Sequence, residues 1–128
     1  MMRLSLVALL VRDYDEAIDW FSSALGFRLA SDEDQGVGKR WVVIEDSAGR
    51  GLLLARARKP DELAAVGNQH GGRVGFFLEV DDFAAALERL NSAGATIEEE
   101  PRTEPYGKVL VFRDLYGNRW DLIEPAAS

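Results

Sequence analysis

Apolar positions along the chain change period twice, each time in the same way. Leu4 to Val11 is almost continuously apolar and short, the pattern of a buried strand. It leads into RDYDEAIDWFSSALGF, where Tyr14, Ala17, Ile18, Phe21, Ala24 and Leu25 recur at helical spacing. Asp13, with Glu16 three residues on, predicts the start of that helix, and Gly26 its stop. The pattern returns at Leu78–Ala95. Val80 matches Val11, Asp82 matches Asp13, Phe83 matches Tyr14, Leu87 matches Ile18 and Leu90 matches Phe21. Phe83, Ala86, Leu87 and Leu90 form the second apolar stripe, which Asp82 starts and Gly94 stops.

Three strand-like runs follow each helix: Phe27–Ser31, Arg40–Glu45 and Gly51–Ala57 in the first half, then Ala95–Glu99, Lys108–Arg113 and Arg119–Glu124 in the second. Turn residues separate them, among them Ser47-Ala48-Gly49 and Tyr116-Gly117-Asn118. The expectation is an α+β fold of two βαβββ modules, 1–58 and 73–128, with a linker at 59–72 that carries one helical turn near Asp61–Val66. One domain of 1–128 would then enclose a cavity between curved mixed sheets. Strand alternation places Val7, Leu9 and Val11 under the first helix and Leu6, Ala8 and Leu10 on the cavity side. In the second half it places Val74, Phe76, Leu78 and Val80 under the helix, and Gly75, Phe77 and Glu79 on the cavity side.

Composition narrows the function. The 128 residues suit one domain, and the absence of cysteine excludes disulfides, thiolate nucleophiles and cysteine metal sites. The net charge of −7, with no basic run, argues against nucleic acid and anionic membrane as partners. The apolar start lacks a small-x-small cleavage site, so it reads as a strand rather than a signal peptide, and the expected location is the cytoplasm. No GxGxxG, P-loop or nucleophile-elbow pattern occurs.

The runs VRDYDEAIDWFSSALGF, VDDFAAALERLNSAGA and FRDLYGNRWDLIEP resemble the vicinal oxygen chelate superfamily of glyoxalase I, extradiol dioxygenases and bleomycin-resistance proteins. The run Asp114–Ile123 is the most specific part. The likeness is to a subgroup of small bacterial proteins without an assigned reaction. It implies four metal-ligand positions, which correspond here to Leu6, Leu53, Gly75 and Asp121. Three of these carry no donor atom, and a divalent metal needs about three protein ligands. The expectation is therefore no cofactor and no metal.

Asp121 is the leading candidate site residue: a lone strand carboxylate that would act as a base or bind a cationic group. The plain alternative is a salt bridge to Arg119 or simple solvation. Glu79, Phe77 and Trp41 join it as candidate ligand-binding residues beside Leu6, Leu53 and Gly75. His70, the single histidine, and Tyr106 are candidate acids on loops. The leading functional reading is binding or sequestration of a small apolar molecule, with a cationic group favoured by the acidic charge. The competing reading is a lyase, isomerase or dioxygenase-type enzyme that uses Asp121 as base or ligand. Open sheet edges predict a homodimer, its cavities formed within one chain or across a swapped pair.

Overall fold

The computed structural model describes residues 1–127 and divides into two compact units, Met1–Val66 and Gly67–Ser128. In the first unit the elements run β1 (Val7–Val11), α1 (Tyr14–Leu25), β2 (Arg28–Asp34), β3 (Arg40–Glu45), β4 (Gly51–Arg56) and the short α2 (Pro60–Ala65). The sheet order is β1-β4-β3-β2, with β1 parallel to β4 and the other pairs antiparallel. The second unit repeats the plan with β5 (Val74–Glu79), α3 (Phe83–Ser92), β6 (Thr96–Ile97), β7 (Arg102–Glu104), β8 (Gly107–Arg113) and β9 (Arg119–Pro125). Its sheet order is β5-β9-β8-β6, β5 lies parallel to β9, and β7 pairs with β8. Each unit is thus a curved mixed sheet with a helix on one face, as the repeat predicts.

The helix ends follow the predicted chemistry. An Asp13 carboxylate oxygen accepts from the Glu16 amide at 2.8 Å, and Asp82 accepts from Ala85 at 3.0 Å. Each bond satisfies one of the amide donors that a helix start leaves unpaired. Gly26 closes α1 at a φ of 72°, in the left-handed region that favours glycine. The apolar stripes then bury Tyr14, Ala17, Phe21 and Ala24 of α1, and Phe83 and Leu90 of α3. Under α1 the sheet buries Leu9, Val11, Val42, Ile44 and Leu54. On the α3 side it buries Leu110, Phe112, Trp120 and Leu122. Complete burial of a side chain such as Phe21 contributes about 1.5–3 kcal/mol.

A second repeated device lies before the last strand of each unit. The Asp46 amide donates to the Arg50 carbonyl at 2.9 Å, and the Gly49 amide donates to the Asp46 carbonyl at 3.1 Å. The Asp114 amide donates to Asn118 at 2.9 Å, and Gly117 donates to Asp114 at 3.1 Å. Asp46-Ser-Ala-Gly-Arg50 and Asp114-Leu-Tyr-Gly-Asn118 are therefore the same turn. The second copy is much more elaborate. Asp114 Oδ1 accepts from the amides of Tyr116, Gly117 and Asn118, and Oδ2 accepts from Asn118 Nδ2 and Trp120 Nε1. This buried cage accounts physically for the Asp-x-Tyr-Gly-Asn-x-Trp run: one carboxylate holds the turn and the indole of the strand that follows.

Two features depart from the sequence reading. The sequence predicts no strand at β7, where Arg102-Thr103-Glu104 has no apolar residue. It forms as a short strand on β8, with Arg102 opposite Val109. Second, β5 carries a bulge. Val74 pairs with Arg119 but Phe76 pairs with Trp120, so Gly75 is the extra residue. Val74 consequently shares a face with Arg119, not with Phe76 as simple alternation predicts. Phe76 stacks on Trp120 at 4.5 Å between ring centroids, on the helix side.

Candidate functional site

The first unit holds a pocket of about 490 Å³ where the β2–β3 hairpin, the end of β4 and the start of α2 come together. Trp41, Leu53 and Ala55 supply its apolar surface. Val43 pairs with Leu53 across the β3–β4 ladder, and alternation puts Trp41 and Ala55 on that same face. Trp41 is 37% exposed, so an indole face is available to a bound molecule. Leu6 lies at the foot of the same face, beside Gly51.

The charge of this pocket is the reverse of the charge of the chain. Lys39, Arg40, Arg56, Arg58 and Lys59 line it, with Glu62 as the one carboxylate. Glu62 Oε1 accepts from the backbone amides of Arg58 at 3.0 Å and Lys59 at 3.4 Å, and these bonds hold its carboxyl below the ordinary glutamate range. Arg40 is neutralised by Asp32 at 2.6 Å and Asp15 at 3.0 Å. Among the described residues no carboxylate makes such an ion pair with Arg56 or Arg58. The sequence reading missed these cations because it looked for a continuous run. The available signals were Lys39-Arg40 at one end of a hairpin strand and Arg56-Ala-Arg58-Lys59 at the exit of β4.

In the second unit Asp121 lies on β9 between Phe77 of β5 and Val111 of β8. Phe77 is 66% exposed and faces the same side. The expected partner of Asp121 is engaged elsewhere: Arg119 Nε and Nη2 both bond Glu98 at 3.0 Å, and Nη1 bonds the Gly72 carbonyl. Asp121 Oδ1 is shielded from solvent and has no hydrogen-bond partner among the described residues. Burial pushes the Asp121 carboxyl up; Arg102 and Arg119 pull against that shift, and Glu99 adds to it. Glu79 is exposed and opposite Ile123, two residues beyond Asp121. Tyr106 is an exposed turn residue next to Gly107, which pairs with Pro125. That pair lies four residues along β9 from Asp121, about 13 Å away at the usual strand rise. His70 packs edge-on to Phe76 at 5.0 Å and over Gly75, where any side chain would collide with the imidazole. The bulge turns Gly75 toward His70 and the Phe76 side of the sheet.

These residues do not fit a divalent metal. Leu6 and Leu53 in one unit and Gly75 in the other offer no donor, which leaves a single carboxylate at Asp121. Among the described residues no three His, Cys, Asp or Glu side chains gather in a way that could hold a metal ion. Nor is any helix among them long and apolar enough to cross a membrane.

Comparison with known proteins places the chain. A protein of Shewanella frigidimarina (strain NCIMB 400) is 47% identical over 121 residues, covering 92% of this chain and 90% of the relative. Among solved structures, UcmS2 matches with a TM-score of 0.79 and 31% identity, over 97% of this chain and 98% of that one. TnmS3, an antibiotic binding protein from Streptomyces sp. CB03234, matches with a TM-score of 0.75 and 27% identity, over 98% of both chains. Residues 3–122 match the family model of the Glyoxalase/Bleomycin resistance protein/Dioxygenase superfamily. With both βαβββ units matched over nearly their whole length, the chain belongs to the glyoxalase/bleomycin resistance protein/dioxygenase superfamily.

Proposed function

We propose that the protein is a metal-independent binding protein that holds a small organic molecule without transforming it. The observation that carries this reading is the pocket of about 490 Å³ in the first unit, with its apolar floor of Trp41, Leu53 and Ala55. Ligand sites commonly span about 300–1,000 Å³ and combine an apolar lining with a few convergent polar groups. The likeness to TnmS3, an antibiotic binding protein, supports binding as the task. The donor-poor set Leu6, Leu53, Gly75 and Asp121 supports metal independence. Open sheet edges at β1 and β5, with Val7 and Phe77 exposed there, favour a homodimer.

A thermal-shift series with small aromatic molecules and divalent metals tests the reading. A ligand at 100 times its Kd stabilises the fold by about 2.7 kcal/mol through mass action, and it should be recovered chemically unchanged. Stoichiometric metal in the purified protein, or conversion of the ligand, would overturn it. The shielded, unpartnered Oδ1 of Asp121 favours one second reading, in which this carboxylate is a general base. In that case Asp121→Asn abolishes turnover of a substrate while leaving its binding intact.

A further inference from the structure

Arg56 and Arg58 leave β4 on alternate positions and converge on the hairpin glycine Gly38. A Cβ placed at Gly38 would sit 3.1 Å from Arg56 Nη2 and 3.5 Å from Arg58 Nη2. Two like charges thus meet at one spot. Arg56 rests its guanidinium 5.7 Å from the centre of the Tyr14 ring, and Arg58 donates through Nη2 to the Val37 carbonyl at 2.9 Å. Neither pairs with a carboxylate among the described residues. Lys39 and Lys59 flank them in the same pocket. Glu62, the one acid among the lining residues, accepts from the backbone amides that start α2, and its charge also acts on Lys59 and Arg58. Several other arginines are matched to acids, as with Arg28 and Glu45, Arg102 and Glu99, or Arg119 and Glu98. An unmatched cluster of cations in a chain of net charge −7 repels itself, and an incoming oxyanion would relieve that repulsion.

We infer that the pocket of the first unit is built for an aromatic organic anion: a flat apolar body against Trp41, Leu53 and Ala55, and a carboxylate or phosphate between Arg56 and Arg58. This rests on the binding function proposed above and reverses the ligand charge expected from composition. Guanidinium groups suit both oxyanions because their planar N–H forks match two oxygens at once. Gly38 adopts φ +76°, a left-handed conformation that favours glycine, so the hairpin carries no side chain between the two guanidinium groups.

Three isosteric probes test the inference by calorimetric titration: naphthalene-2-carboxylate, naphthalene-2-carboxamide and 2-naphthylmethylammonium, with 2-naphthyl phosphate to compare the two oxyanions. The wild-type protein should bind the carboxylate or the phosphate at least about 10-fold more tightly than the amide, and the ammonium least. The preference should shrink as salt rises. Arg56→Gln with Arg58→Gln should erase it, while circular dichroism and weak amide binding persist. Equal binding of all four probes would overturn the charge assignment and leave the binding function standing. Failure of every probe to bind at millimolar concentration would overturn both. Loss of dimerisation in the double variant, with the probe preference unchanged, would mean that the cations face the acidic surface of a second copy, and would overturn the inference.

Discussion

Asp114→Asn should be among the most damaging single-atom changes in the chain. Five donors converge on the Asp114 carboxylate, and Asp114, Asn118 and Trp120 are all nearly inaccessible to water. An asparagine must present its amide either to three backbone N–H groups or to Asn118 Nδ2 and Trp120 Nε1. In either orientation donors face donors. The milder choice keeps the three backbone bonds at Oδ1 and strands two buried side-chain donors, each worth about 1–3 kcal/mol. The expected loss is about 3–5 kcal/mol, read as a shift of the urea midpoint at unchanged m-value. Asp46→Asn is the internal control. Among the described residues Asp46 Oδ1 accepts only from the amides of Ala48 and Arg50 in the equivalent turn, and the residue is half-buried. Its loss should stay near 1 kcal/mol. Equal effects at the two positions would refute the cage as the reason for the Asp-x-Tyr-Gly-Asn-x-Trp run.

Two further perturbations follow from the second unit. Burial raises the Asp121 carboxyl above its ordinary 3.8, so the folded state holds that proton longer than the unfolded chain does. The penalty is absent below the unfolded value, grows as pH rises through the window above 3.8, and is complete above the folded value. Asp121→Asn should therefore raise the melting temperature at pH 7 relative to wild type and lose that advantage by pH 3.5; a variant less stable by the same amount at both values would contradict the unpartnered-carboxylate assignment. Gly67 sits at φ +78° with its Cα against the Tyr116 carbonyl, whereas Gly36 at φ +86° faces open space. Gly36→Ala should cost only about 1 kcal/mol of backbone strain, and Gly67→Ala several kcal/mol because the turn must also move. Equal melting curves for the two variants would contradict this.

What the sequence made legible was local. Asp13 and Asp82 start helices, Gly26 ends one, and the stripes from Tyr14 and Phe83 bury as their spacing predicts, because each depends on residues within a turn or two of one another. Trp120 went to the helix side by alternation alone. The bulge at Gly75 was not legible, because it exists only in the register between β5 and β9, strands 45 residues apart at Val74 and Arg119. β7 was hidden because its pairing comes from the backbone of β8 and not from any apolar content of its own. The charge of the pocket was hidden for the same kind of reason. Composition gave an acidic chain, while folding brings the hairpin Lys39 to the end of β4 and collects cations that lie far apart in the sequence. At Asp121 the neighbouring arginine was the obvious partner, and Glu98 on a different strand outcompeted it with two bonds.

The central claim is that the pocket of the first unit binds a small molecule. Amide chemical shifts recorded during titration with naphthalene-2-carboxylate test it most directly. The account predicts saturable shifts concentrated at Gly38, Trp41, Leu53, Ala55 and Arg56–Lys59. Shifts confined to Phe77, Asp121 and their neighbours in the second unit, or no saturable shift anywhere, would contradict it.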